Sequence, residues 1–219
     1  MKHRPVISGV ALVGLVAALI ALAVSQVTWP PRVDTRLHQE IGRALAAEAL
    51  KLRGPQGQIT LIVRDTASFP QPAADIARAS IEQELKRAGV LIRSVHLLQE
   101  DPLRPPQVPP GDFFELLRRG ASGDVILSLM GPPLLNEEQR ALLGTPKPKV
   151  VAFLPGAQPE QLNLRWLAEQ GLLQAAVMGR PPSQWVAGRE SFADLYVRAG
   201  PEDLLRSSGA PALAGKELP

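Results

Sequence analysis

The chain has 219 residues and a mass of 23.5 kDa, is 45% hydrophobic, and carries no Cys, three His and a formal charge of +3. That length suits one domain with appendages, and without Cys there is no disulfide framework, thiolate zinc site, cysteine nucleophile or lipid-modified cysteine anchor. With Lys2 and Arg4 of the N-terminal leader set aside, 22 basic residues face 21 acidic ones, no basic block interleaves with aromatics, and the electrostatic footprint of a nucleic-acid binder is missing.

From Val6 to Val24 nineteen residues pass without a charge, after Lys2, His3 and Arg4 and before Trp29, Pro30 and Pro31. As a helix rising about 1.5 Å per residue this run covers roughly 28 Å, close to the thickness of bilayer hydrocarbon. Basic residues mark the cytoplasmic side and Trp29 suits the far interface. The pattern predicts a cytoplasmic stub over 1–5, a transmembrane signal anchor over 6–26, and a domain outside the cytoplasm. Lys supplies only 6 of the 24 basic residues, a usage associated with GC-rich bacterial coding, so the membrane expected is a bacterial inner membrane. The competing reading is a cleaved signal peptide, because Ala21, Leu22 and Ala23 satisfy the small-residue rule for cleavage, and the domain would then be secreted. An apolar run longer than the usual core of about 7 to 15 residues favours the retained anchor.

After Pro31, Asp34 caps an amphipathic connecting helix over 34–53, with Leu37, Ile41, Leu45, Ala49 and Leu52 on one stripe and Gly54 and Pro55 as its stop. The stripe is too short for a sustained heptad seam, so packing on the following domain is expected over pairing with a second copy. An α/β domain over 57–199 follows, punctuated by the residues that end helices and strands. Ile59–Val63 reads as a strand, Pro72 opens a helix closed by Gly89, and Val90–Leu98 reads as the second strand. Asp112–Arg119 is a short helix and Val125–Met130 the third strand, which Gly131, Pro132 and Pro133 forbid to continue. Asn136 and Gln139 form a capping-box pattern for a helix ending at Gly144, ahead of a fourth strand at Lys149–Leu154. Pro159 starts a helix closed by Gly171, and Leu172–Met178 is the fifth strand. Trp185, Phe192, Leu195 and Tyr196 continue the packing, with a short sixth strand near 195–198. From Gly200 the Pro, Ser, Gly and Ala composition predicts a disordered tail over 200–219.

Strands separated by single helices imply right-handed crossovers and a parallel sheet covered on both faces. The fold class expected is a Rossmann-like three-layer α/β sandwich with about five parallel strands, preceded by one N-terminal transmembrane helix. The order 2-1-3-4-5 is expected, because Arg93 and Ser94 give the second strand the polarity of an edge.

Ligands of such sheets bind outside the carboxyl ends of the strands. The first loop there carries Asp65, Thr66 and Ser68, which can contact an anion or hydroxyl at the following helix N-terminus, or can simply cap backbone groups. Ser128 and Gly131 follow the third strand and Gly156 the fourth; Gly131 also suits a tight turn. No Gly-x-Gly-x-x-Gly, P-loop or Gly-x-Ser-x-Gly pattern occurs, so no dinucleotide, P-loop or elbow-serine chemistry is expected, and no cofactor. His3, His38 and His96 are scattered and make no metal site; His96, inside the second strand, reads as a packed or edge histidine. No carboxylate constellation suggests acid and base work, so no catalytic residue is assigned. The stretch Pro102–Pro110 can dock into an aromatic groove or serve as a stiff loop.

Two segments carry a family resemblance. Gly57–Val63 resembles the opening strand, and Ser122–Ser128 the third strand, of one lobe of the type 1 periplasmic binding proteins, especially the substrate-binding components of ABC importers. The resemblance implies exported ligand or partner binding and supplies no binding residues. The function expected is a membrane-tethered exported binding or accessory module without evident catalysis, binding an envelope protein partner or itself as a homodimer. The alternatives are a small-molecule-binding sensor domain and a hydrolase using Asp65 or Ser68.

Overall fold

Helix α1 (Thr35–Leu52) starts where the Asp34 carboxylate accepts the Leu37 N–H at 3.0 Å. The structure, a computed structural model, describes residues 33–67, 70–99, 108–156, 158–185, 188 and 190–207. The expected anchor at 6–26 and the tail beyond Ser207 lie outside the described residues, and among those described no helix is long and apolar enough to cross a membrane. The chain divides into two compact units, Met1–Val33 and Asp34–Pro219, and the second holds every element described below.

After α1 come β1 (Ile59–Arg64), α2 (Pro72–Arg87), β2 (Ile92–Leu98), α3 (Pro110–Arg119), β3 (Val125–Ser128), α4 (Glu137–Leu142) and β4 (Lys149–Leu154). The short helices α5 (Gln158–Gln161) and α6 (Leu164–Glu169) lead to β5 (Ala175–Gly179), then α7 (Phe192–Leu195), β6 (Tyr196–Ala199) and α8 (Pro201–Arg206). The six strands form one sheet in the order β2-β1-β3-β4-β5-β6, parallel throughout except for the antiparallel β5–β6 pair. The fold is therefore the expected α/β class, and β2 is at an edge.

Alternate residues of each strand feed two cores. One face sends Ile59, Leu61, Val63, Val125, Leu127, Val151 and Val177 against Ile41, Leu45 and Ala49 of α1 and Ile81 and Leu85 of α2. The other sends Ile62, Ile126, Val150, Ala152, Leu154 and Ala176 against Phe113 and Leu117 of α3, Leu164 and Leu167 of α6, and Leu204 of α8. Right-handed crossovers explain the division, since only β1 to β2 runs toward the β2 edge and only its helix, α2, falls on the first face. The rest of that face would lie bare; α1 covers it, packing on β3, β4 and β5. Helix α1 is thus a core element, and the domain begins at Asp34 rather than at 57.

Several boundaries differ from the sequence reading. The helix expected from Pro159 is broken at Asn163, whose side chain accepts the Trp166 N–H at 2.9 Å and starts α6 anew. The fifth strand begins at Ala175 rather than Leu172, because Gly171 turns at φ 60° and sends Leu172 and Leu173 into the core. The second strand begins at Ile92, the third ends at Ser128 and the helix after Asn136 ends at Leu142. The disordered tail expected from Gly200 is corrected over its first residues: Pro201–Arg206 is helical and Leu204 is fully buried.

Candidate functional site

The strand order places the topological switch between β1 and β3, where a ligand crevice is expected above their carboxyl ends. Here the chain fills that place itself. The Asp65 N–H donates to the Leu98 carbonyl at 2.8 Å and the Leu129 N–H to the Ile62 carbonyl at 2.9 Å, which continue the ladders past the strand ends. Met130, Gly131, Pro132, Pro133 and Leu135 are buried over the core.

The polar side chains singled out at these ends are engaged locally. Asp65 accepts the Ala67 N–H at 3.0 Å, an Asx turn, and Thr66 donates to Asp75 of the first turn of α2 at 2.9 Å. The Ser128 hydroxyl, fully buried, accepts the Met130 N–H at 3.1 Å. Gly131 turns at φ 86° and Gly156 at φ 56°. Gly156 lies against the end of β5, where a Cβ on Gly179 would meet its backbone N and O at 2.8 Å. The structure thus brings Asp65, Thr66 and Ser128 to one end of the sheet beside Gly131, with Gly156 after the next strand, β4, while Ser68 lies outside the described residues.

The two segments that carry the family resemblance are neighbours along the sheet, where Gly57–Val63 and Ser122–Ser128 pair as β1 and β3; Asp124 lies at their opposite end. Asp124 joins them by accepting the Gln58 N–H at 2.8 Å and the Ala121 N–H at 3.0 Å, and it stands 3.7 Å from Arg93 of β2. Placed at the amino ends of the strands, Asp124 holds the sheet together and is remote from any strand-end crevice.

A concavity that sequence reasoning missed lies between β2 and α3. It has a volume of about 260 Å³ and combines an apolar floor of Ile62, Leu98, Val108 and Leu116 with a polar rim of His96, Asp112, Glu115 and Arg119. His96 adjoins a polar ladder on this face, Thr60 Oγ1 to Ser94 Oγ at 3.4 Å and Ser94 Oγ to His96 Nε2 at 3.5 Å. Glu115 accepts from Arg118 at 2.9 Å and from Arg119 at 3.1 Å. The Arg118 hydrogen bond, aided by both guanidinium charges, holds its carboxyl below the usual carboxylate range. Glu115 and Arg119 of the rim are therefore already paired with each other, a weak basis for acid and base chemistry. The helical 3-4 spacing of Asp112, Glu115, Leu116 and Arg119 was visible in the sequence, but its meeting with His96 depends on how α3 crosses the sheet. Among the described residues no His, Asp and Glu cluster could hold a metal ion.

No family model matches the chain, and no curated protein matches it. Two solved structures are similar to it. One is the sugar-binding protein of a sugar ABC transporter from Bacillus halodurans, 13% identical, covering 76% of this chain and 63% of that one at a TM-score of 0.44. The other is a protein from Mycobacterium smegmatis, 15% identical, covering 67% of this chain and 47% of that one at a TM-score of 0.41. The chain spans less than two thirds of the length of either.

Proposed function

We propose that the protein is an exported binding module, tethered to the bacterial inner membrane by its N-terminal apolar run, that binds an envelope protein or a second copy of itself and catalyses no reaction. The observation that carries this reading is the contrast between the two places where an α/β sheet can bind. The crevice at the strand ends is filled by Met130–Leu135 and its polar groups are spent on the chain's own backbone. The β2 edge instead presents Leu97, 54% exposed, and the exposed Leu91 stands just before the start of the strand. Apolar side chains on an open edge favour association with another chain.

The test is to express the full chain in a bacterium, extract the membranes with mild detergent and measure the mass of the protein by light scattering. The expected result is retention in the membrane fraction and a defined complex, with itself or with a stoichiometric envelope protein. A monomer that no partner accompanies, or one found wholly in the soluble fraction at its full length, is inconsistent with the proposal.

A second reading, a small-molecule sensor, is favoured by the concavity at His96, Asp112, Glu115 and Arg119. A reproducible rise in melting temperature with one member of a panel of sugars, amino acids, nucleotides and anions supports it, since a ligand at about a hundred times its dissociation constant adds roughly 2.7 kcal/mol. A flat panel removes it.

A further inference from the structure

The sheet has a long open edge. Among the described residues strand β2 pairs only with β1, and its Leu98 carbonyl accepts the Asp65 N–H. By strand periodicity Ser94 and His96 turn their backbone groups inward like Leu98, whereas Val95 and Leu97 present N–H and C=O away from β1. Natural sheets blunt such edges with proline, charge or a bulge. In β2 the bulge is at Arg93, for Ile59 pairs with Ile92 and Thr60 with Ser94. Arg93 is directed toward Asp124, 3.7 Å away. Beyond it Ser94–Leu98 runs regularly, with neither proline, lysine nor carboxylate, and carries the exposed Leu97.

We propose that Ser94–Leu98 pairs antiparallel with the same segment of a second copy, joining two sheets into one across a two-fold axis. This rests on the binding-module reading above and names its occupant. The bulge sets the register, because pairing confined to the regular segment centres on His96. Val95 and Leu97 of one copy then exchange backbone hydrogen bonds with Leu97 and Val95 of the other. Each exposed Leu97 gains a Val95 as its cross-strand neighbour on the face shared with α2, an apolar pair. His96 meets His96 across the axis, and the two concavities that these residues line come together there.

Helix α2 supplies matching charge. Its Ala77, Ile81 and Leu85 face the sheet and its Ser80 faces α1, where it donates to the Gln39 carbonyl at 2.8 Å. Arg78 and Glu82 stand about 100° round the helix on the other side, flanking the open edge, partly exposed and paired at 2.8 Å. The two-fold axis makes the α2 helices of the two copies antiparallel, so Arg78 of each approaches Glu82 of the other. Opposite charges meet, where a parallel arrangement would set like against like.

The chain contains no Cys, which gives a register-specific test in the full-length protein. His96 and its copy form a non-hydrogen-bonded pair with Cα atoms about 4.5 Å apart, within disulfide reach. Full-length His96→Cys is expected to give a disulfide-linked dimer on mild oxidation, while Leu142→Cys, on the exposed side of α4, stays monomeric. Chains carrying Ser94→Cys and Leu98→Cys, mixed, cross-link by the same register and serve if His96→Cys does not fold. The unmodified chain in detergent is expected to be dimeric by light scattering, and Leu97→Lys to weaken self-association at least about tenfold. A dimer that Leu97→Lys leaves intact, or equal cross-linking of His96→Cys and Leu142→Cys, overturns the proposal. A monomer that still forms a stoichiometric complex with another envelope protein overturns the β2 pairing while the binding-module reading survives. A monomer with no partner sinks both.

Discussion

Gly42 of α1 and Ser80 of α2 touch at the crossing of the two helices, so closely that a Cβ on Gly42 would stand 2.7 Å from Ser80 Cβ and 2.4 Å from the Ala77 carbonyl oxygen. The approach lets Ser80 donate to the Gln39 carbonyl at 2.8 Å, and it seats α1 low enough to reach three strands. Gly42→Ala is expected to destabilise the protein by about 1–3 kcal/mol, since the obstacle is backbone and cannot swing aside. Gly111→Ala, in α3 with open space around it, is expected to be neutral or stabilising by up to about 1 kcal/mol. Thermal unfolding of both variants checks the contrast, at roughly 2–4 °C per kcal/mol. Equal melting temperatures would mean that the crossing is looser than described.

Ser128→Ala separates a structural hydroxyl from a ligand contact. The substitution leaves the Met130 N–H without its acceptor in a buried place, so a loss of about 1–3 kcal/mol is expected. Binding of any partner should follow the folded fraction alone. Unchanged stability with altered binding would return Ser128 to the role of a contact residue.

Leu204→Ala tests the end of the domain. Leu204 is fully buried, and α8 packs on α6. A cost of about 2–5 kcal/mol is expected from the cavity, and deletion of residues 201–219 should cost at least as much. Hydrogen exchange in β6 is a second readout, because removing α8 uncovers that strand. A truncated chain as stable as the full one would show that α8 contributes nothing.

Tyr196 is the single tyrosine of the chain, stacked on Phe192 at 5.8 Å and tilted against Phe153 at 5.8 Å. Burial pushes its phenol above the ordinary value. The folded state therefore holds this proton to higher pH than the unfolded chain does. The stability so gained is fully present below pH about 10 and is lost as pH rises through the folded value. Phenolate absorbance should titrate later in the native protein than in urea. Tyr196→Phe, which keeps the ring contacts, should flatten the fall in melting temperature between pH 9 and 11. Identical alkaline profiles for the two proteins would contradict the assignment.

The strands and the helices between them were legible in the sequence because glycine and proline punctuate them. Gly89, Gly131 and Gly171 do adopt positive φ, and Asn136 and Gln139 do form their capping box at 2.8 and 3.2 Å. The edge position of β2 was legible in the polarity of Arg93 and Ser94. Helix α8 was hidden because two adjacent leucines among Pro, Glu and Asp give little periodicity to read. The concavity was hidden for a different reason, since Ile62, His96 and Glu115 come from three separate elements whose meeting depends on how α3 crosses the sheet. The filling of the switch-point crevice was equally invisible. Gly131, Pro132 and Pro133 announced a turn, but nothing in their composition said that it folds inward.

Placing α1 over β3, β4 and β5 has a consequence for the order in which the protein is made. Among the described helices α1 is the first to leave the ribosome, and although α2 follows soon after, the strands that its apolar stripe covers, β3, β4 and β5, are synthesised late, so that stripe must wait while most of the domain is translated. Contacts of such long sequence separation slow folding. In the interval an amphipathic helix rich in alanine and leucine stands uncovered directly behind the most apolar segment of the chain, where a lipid surface or a chaperone would be its nearest shelter. Pulse labelling during synthesis should find Ile41 and Leu45 among the last core residues to become protected.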